Sequence, residues 1–171
     1  MRRSVSQIMF PVLASMALLS ACGQNGEPDA SSQLANAELP NGMTVKEQIE
    51  ARQGQLKKMG KAFKTISDQL KAGSPDVAQI QAAAALVPEE AKGMAEWFPD
   101  GSGPESGVKT EALPEIWQNG SDFNDKIVAM QDAAAQLNTV AQGGDVTEIA
   151  AAFQTTGGKC KDCHDKYRED D

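Results

Sequence analysis

Close to the C-terminal end, Cys160-Lys161-Asp162-Cys163-His164 places two thiols three positions apart with a histidine directly after them. On a helix three residues make nearly one turn, so both sulfurs project to one side. That spacing allows two thioethers to the vinyl groups of one haem c, with the adjacent imidazole offered to its iron. Any fold the chain adopts must seat that large flat group against this helix. Two other chemistries use a CxxC. A thioredoxin-like redox pair wants a strand before it and a parallel sheet around it, and a zinc half-site wants a second pair of ligands. The sequence shows no such strand pattern, and His164 is its single histidine. Both alternatives stay open at this stage.

The other end of the chain speaks to compartment. Met1-Arg2-Arg3 precedes an apolar run from Ile8 to Leu19 that Pro11 and Ser15 interrupt; it is too short to span a bilayer and reads as an export signal. Leu19-Ser20-Ala21-Cys22 resembles a bacterial lipoprotein cleavage box, in which Cys22 becomes the lipidated first residue. An ordinary signal peptide, with Cys22 incidental, is the plainer alternative. Residues 1–21 are thus expected to be a leader and 22–42 a flexible polar tether with almost nothing to bury, leaving 43–171 as the folded domain. Covalent haem attachment in bacteria takes place beyond the cytoplasmic membrane, so both ends imply the periplasm. With the anchor, the membrane contact is through lipid only; Gly23 gives no sign of inner-membrane retention, which favours the outer membrane.

A length of 171 residues suits one domain. A net charge of −8 with no basic stripe excludes nucleic acid and is compatible with weak docking to basic redox partners. Abundant alanine and glutamine with few aromatics favour helices. Thr44-Val45-Lys46-Glu47 is a capping box. Behind it Val45, Ile49, Arg52, Leu56, Met59, Phe63, Ile66 and Leu70 alternate steps of four and three, a bundle-core stripe. Arg52 in that seam needs an anion, which a haem propionate would supply, or else must snorkel to solvent.

Ser74 as cap and Pro75 at the first helical position open a second helix with Val77, Ile80, Ala83, Ala84 and Val87 inside; Pro88 is expected to kink or break it. A long loop from Pro99 to about Ala112 follows, then a short turn at Pro114, Ile116 and Trp117. The third long helix is expected to be capped by Ser121 or Asp122, to bury Phe123, Ile127, Met130, Ala134 and Leu137, and to end at Gly143-Gly144. Asp145 to Glu148 opens a fourth, striped by Val146, Ile149, Phe153, Thr156 and Cys160. Gly157-Gly158 within it suits close packing on a haem edge or fraying near the chain end. The fold class is all-α, an antiparallel up-down-up-down four-helix bundle with covalently attached haem c.

From Val45 to Arg168 the chain resembles the cytochrome c′ family, the class II c-type cytochromes. The resemblance rests on Arg52-Gln53 followed by Leu56, Met59 and Phe63, on Phe98-Pro99-Asp100-Gly101-Ser102-Gly103, on Lys109-Thr110-Glu111-Ala112-Leu113-Pro114-Glu115-Ile116-Trp117, and on Cys160 to Arg168. It implies thioethers from Cys160 and Cys163, a proximal His164, Arg52 and Gln53 near the haem propionates, Thr110 and Glu111 at the haem edge, and Arg168 beside the proximal face. Glu111 stands where the family usually has arginine. Low-spin relatives have a methionine where this chain has Leu56, so the resemblance implies a five-coordinate high-spin iron that binds NO or CO and passes single electrons, and is not an enzyme. Homodimers through the first helices are common in the family. Two alternatives remain: a low-spin electron-transfer cytochrome with Met59 as sixth ligand, and a haem-free dithiol redox lipoprotein.

Overall fold

A computed structural model describes residues 29–169; the expected leader, Cys22 and the last two residues of the acidic tail lie outside them. The described residues form six α-helices, α1 (Ala30–Ala35), α2 (Val45–Leu70), α3 (Val77–Glu90), α4 (Glu115–Gln118), α5 (Gly120–Gly143) and α6 (Val146–Tyr167), with two short 3-10 turns between α3 and α4. The four long ones are the bundle. Thr44 starts α2 as expected: its hydroxyl accepts from the Glu47 amide at 3.2 Å while the Glu47 carboxylate accepts from the Thr44 amide at 2.8 Å. Two orphan donors are satisfied at once. Asp145 caps α6, accepting from the amides of Thr147 at 2.8 Å and Glu148 at 3.0 Å.

Other helix boundaries differ from expectation. α3 is capped not by Ser74 but by Asp76, whose carboxylate accepts from the Gln79 amide at 3.1 Å; the carboxylate outcompetes the Ser-Pro signal two residues earlier. Pro88 does not break α3, which runs on to Glu90. In the last turn its ring displaces one helical bond and no more. α5 begins at Gly120 rather than after Ser121 or Asp122, because Asn119 closes α4 and opens α5 in a single residue. Gly157-Gly158 does not fray, since α6 continues unbroken to Tyr167. A Cβ at Gly157 would sit 3.6 Å from the Phe63 ring, so α2 and α6 approach there.

The stretch expected to be tether carries structure from Ala30 onward. α1 is followed by an isolated bridge between Glu38 and Thr44, and Leu39 is buried with Val45 and Ile49. In so polar a segment no periodic pattern marks Leu39 as a core residue. The main core gathers Ile66, Ile80, Ala84, Val87, Ile127, Ala134, Leu137 and Ile149 from all four long helices. No helix among the described residues is long and apolar enough to cross a membrane.

Candidate functional site

Cys160 and Cys163 lie on one side of α6, half-buried, as free thiols packed against the main core. Leu56, Met59 and Phe63 of α2 and Phe153 of α6 pack on the same core and are also only half-buried. Phe63 and Phe153 stack with ring centroids 4.1 Å apart, fixing the crossing of the two helices. Burial raises both thiol pKa values, that of Cys163 to about 11, with Lys126 opposing the shift. A redox dithiol needs the opposite, a stabilised thiolate. Nor does any group of three His, Cys, Asp or Glu among the described residues sit where it could hold a metal ion, as a zinc site would need.

His164 reaches solvent. Desolvation, followed by the charge of Arg168, holds its imidazole below the usual value, against Asp165 and Glu111. The neutral ring retains a lone pair, as an iron ligand must. Its helix is pinned from behind: the Tyr167 hydroxyl donates to Asp122 Oδ2 at 2.5 Å, Lys166 Nζ reaches the same oxygen at 2.9 Å, and the Tyr167 ring meets Phe123 edge-on at 5.0 Å. This anchor spans α5 and α6 and had no local signal in the sequence.

Arg52 does not snorkel. It is 2% exposed, with Nη1 donating to Ser102 Oγ and Nη2 to Thr110 Oγ1, both at 2.9 Å, and its guanidinium over the Phe98 ring at 4.8 Å. Burial lowers its pKa to about 10, with Glu105 opposing, so it remains a cation at neutral pH. Its direct partners are neutral hydroxyls, and a buried cation so placed favours an anionic group beside it. Gln53 Nε2 donates to the Lys109 carbonyl at 3.0 Å. Thr110 thus joins Arg52, and the Glu111 carboxylate accepts from Arg168 Nε at 2.8 Å. Backbone pairing reinforces that contact: Ala112 and Arg168 form an isolated bridge, flanked by Leu113 N to Tyr167 O at 3.0 Å and Glu169 N to Glu111 O at 2.8 Å. Ser102 and Phe98 belong to a stretch legible as part of the family pattern, but their service to Arg52 was not.

Two same-side thiols in an apolar surround, a neutral histidine next to them and a buried cation at the loop fit a covalently attached haem. A family model described as cytochrome C′ matches residues 47–168. The chain belongs to the cytochrome c′ family. It is 34% identical over 122 residues to cytochrome c′ of Alcaligenes xylosoxydans xylosoxydans, covering 71% of this chain and 92% of that protein. The crystal structure of cytochrome c′ from Thermochromatium tepidum superposes with a TM-score of 0.70 at 32% identity, over 75% of this chain and 98% of that one. The nitric oxide complex of a leucine-to-alanine mutant of cytochrome c prime from Alcaligenes xylosoxidans gives a TM-score of 0.67 at 30% identity, over 74% and 97% of the two chains. The cytochrome c′ family binds one covalently attached c-type haem, and this member presents Cys160 and Cys163.

Proposed function

We propose that this member of the cytochrome c′ family binds small gases such as NO and CO at a five-coordinate, high-spin haem iron and also passes single electrons. Cys160 and Cys163 would hold the porphyrin through thioethers, and His164 would offer its imidazole nitrogen to the iron. Arg52 and Gln53, with Thr110, receive its carboxylate edge, while Glu111 acts indirectly by engaging Arg168. When bound, the haem would supply one-electron exchange and an iron able to take a neutral diatomic ligand. Leu56 would give such a ligand a hydrocarbon surround and has no donor atom of its own. The chain is not an enzyme in this reading.

The observation that carries the proposal is the pair of half-buried thiols, high in pKa, beside a neutral histidine and packed on the core that Leu56 shares. A nitric oxide complex of a related cytochrome c prime supports the gas-binding part. Met59 packs on the same core three residues beyond Leu56, and this favours keeping a second reading, a low-spin electron carrier with Met59 as sixth ligand. Residues 1–21 as leader, Cys22 as lipidated residue, a periplasmic domain and an outer-membrane anchor complete the proposal, together with homodimer formation and docking to redox proteins.

The test is a pyridine haemochrome assay on the exported protein, followed by absorption spectra with and without CO. A haem c signal with broad high-spin bands that shift on CO supports the proposal. Sharp low-spin bands indifferent to CO move the assignment to Met59, and a blank haemochrome defeats both.

A further inference from the structure

Residues 29–44 precede the stretch that matches the family, which begins at residue 47. They fold back on themselves ahead of α2: Leu39 N donates to the Met43 carbonyl at 2.8 Å and Val45 N to the Ala37 carbonyl at 3.0 Å. A polar segment of this kind has little of its own to bury, so its order comes from what it packs on.

It packs on the loop that serves Arg52. Leu39, 7% exposed, shares a small core with Val45 and Ile49 of α2 and with Val108 of the loop, apart from the main core of the bundle. α1 lies on the 3-10 turn Pro104–Ser106. Gly107 follows that turn at φ +73°, and a Cβ there would sit only 3.0 Å from Ser31 Cβ, so a side chain would crowd α1 off the loop. A polar link runs beside the apolar one. Asn41 Nδ2 donates to Gln48 Oε1 at 2.8 Å, and the buried Gln48 donates through Nε2 to the Trp97 carbonyl at 3.0 Å. Trp97 is followed by Phe98, whose ring lies under the Arg52 guanidinium.

The inner face of the same loop is what Arg52 depends on. Buried Ser102 accepts from Arg52 and donates to the Pro99 carbonyl at 2.8 Å, and Thr110 accepts from the other guanidinium nitrogen. Both hydroxyls belong to the loop, so the buried cation is satisfied only while the loop stays down. A long loop without regular structure opens locally at low cost unless something covers it. Residues 29–44 engage this region at Trp97, through Gln48, and at Gly107 and Val108, so Ser102 lies between their holds.

We infer that residues 29–44 are a strap that holds the 99–110 loop down on α2 and thereby positions Arg52 for the carboxylate edge of the haem, with Leu39 and Asn41 as its positioning residues. The inference rests on the haem reading above.

Hydrogen–deuterium exchange of the exported full-length holoprotein, read by mass spectrometry in L39A and N41A alongside the midpoint potential of the haem, tests this. Exchange across residues 99–112 is expected to rise about tenfold or more in L39A, and in the same direction in N41A, with α5 and α6 unchanged. The midpoint potential should fall in R52Q, because removing a cation beside the porphyrin favours the ferric form. It should fall part-way in L39A, and in R52Q/L39A no further than in R52Q alone. Unaltered loop exchange, a rise shared equally by α5 and α6, or shifts in potential that add in the double variant each overturns the inference. Should R52Q fail to take up haem, loop exchange in the two strap variants decides. A blank haemochrome in the parent removes the haem reading and this one together, whereas an intact haemochrome with unaltered loop exchange removes the strap alone.

Discussion

Where α3 meets α5 the bundle is filled with Ile80, Ala83, Ala84 and Val87 against Ile127, Met130, Ala134, Leu137 and Ala141, all buried. Where α2 meets α6, the side chains are Leu56, Met59, Phe63, Phe153, Cys160 and Cys163, all half-buried. The first side is closed by small and branched residues at close approach, and its work is stability. The second leaves larger apolar side chains and two thiols only half-covered, as a seat for the family's covalently attached haem would require. A bundle can separate these tasks because each pair of helices buries its own seam.

The strongest test of that division is removal of the thiols. Cys160→Ala with Cys163→Ala should abolish covalent haem altogether, read as a blank pyridine haemochrome in protein that remains helical by circular dichroism. Next, Leu137→Ala on the closed side should destabilise the holoprotein by about 2–5 kcal/mol in urea unfolding, through transfer and cavity terms. Comparable damage from Leu56→Ala would break the comparison. Leu56→Ala should instead cost about 1–2 kcal/mol, since its side chain is already half in water, and should accelerate CO association in flash photolysis. An unchanged rate would remove Leu56 as the screen.

The smallest effect concerns the pin behind α6. The hydrogen bond from Tyr167, then that from Lys166, holds the Asp122 carboxyl below its ordinary value. A carboxyl with a depressed folded pKa stabilises the fold above its unfolded pKa, near 3.9, and loses that contribution as pH falls through the lower folded value. Asp122→Asn should therefore be less stable than the parent at pH 7, with the difference closing below about pH 4 in thermal melts. A gap that persists in acid would assign the contact to packing alone.

Much of this division was legible beforehand where local chemistry fixes it. The alternating stripe of α2 gave its length and held the polar misfit Arg52, but not the loop hydroxyls that meet it. Cysteine spacing identified the chemistry of α6. Helix starts were less legible where two caps compete within three residues, as with Ser74 and Asp76, or where one residue serves two helices, as Asn119 does. Long-range polar contacts were not legible at all. Nothing within a few residues of Asp122 announces Tyr167, and Ser102 becomes a partner of Arg52 only after the loop has folded back across α2.

That fold-back has a mechanical consequence. His164 lies four residues before Arg168, whose main chain is zipped to Ala112; two residues further back along the same loop, Thr110 grips Arg52, one turn from Leu56. His164 and Leu56 thus stand at the two ends of a single continuous run of contacts. A pull on the histidine would have a stiff route to the Leu56 turn of α2, with no hinge required.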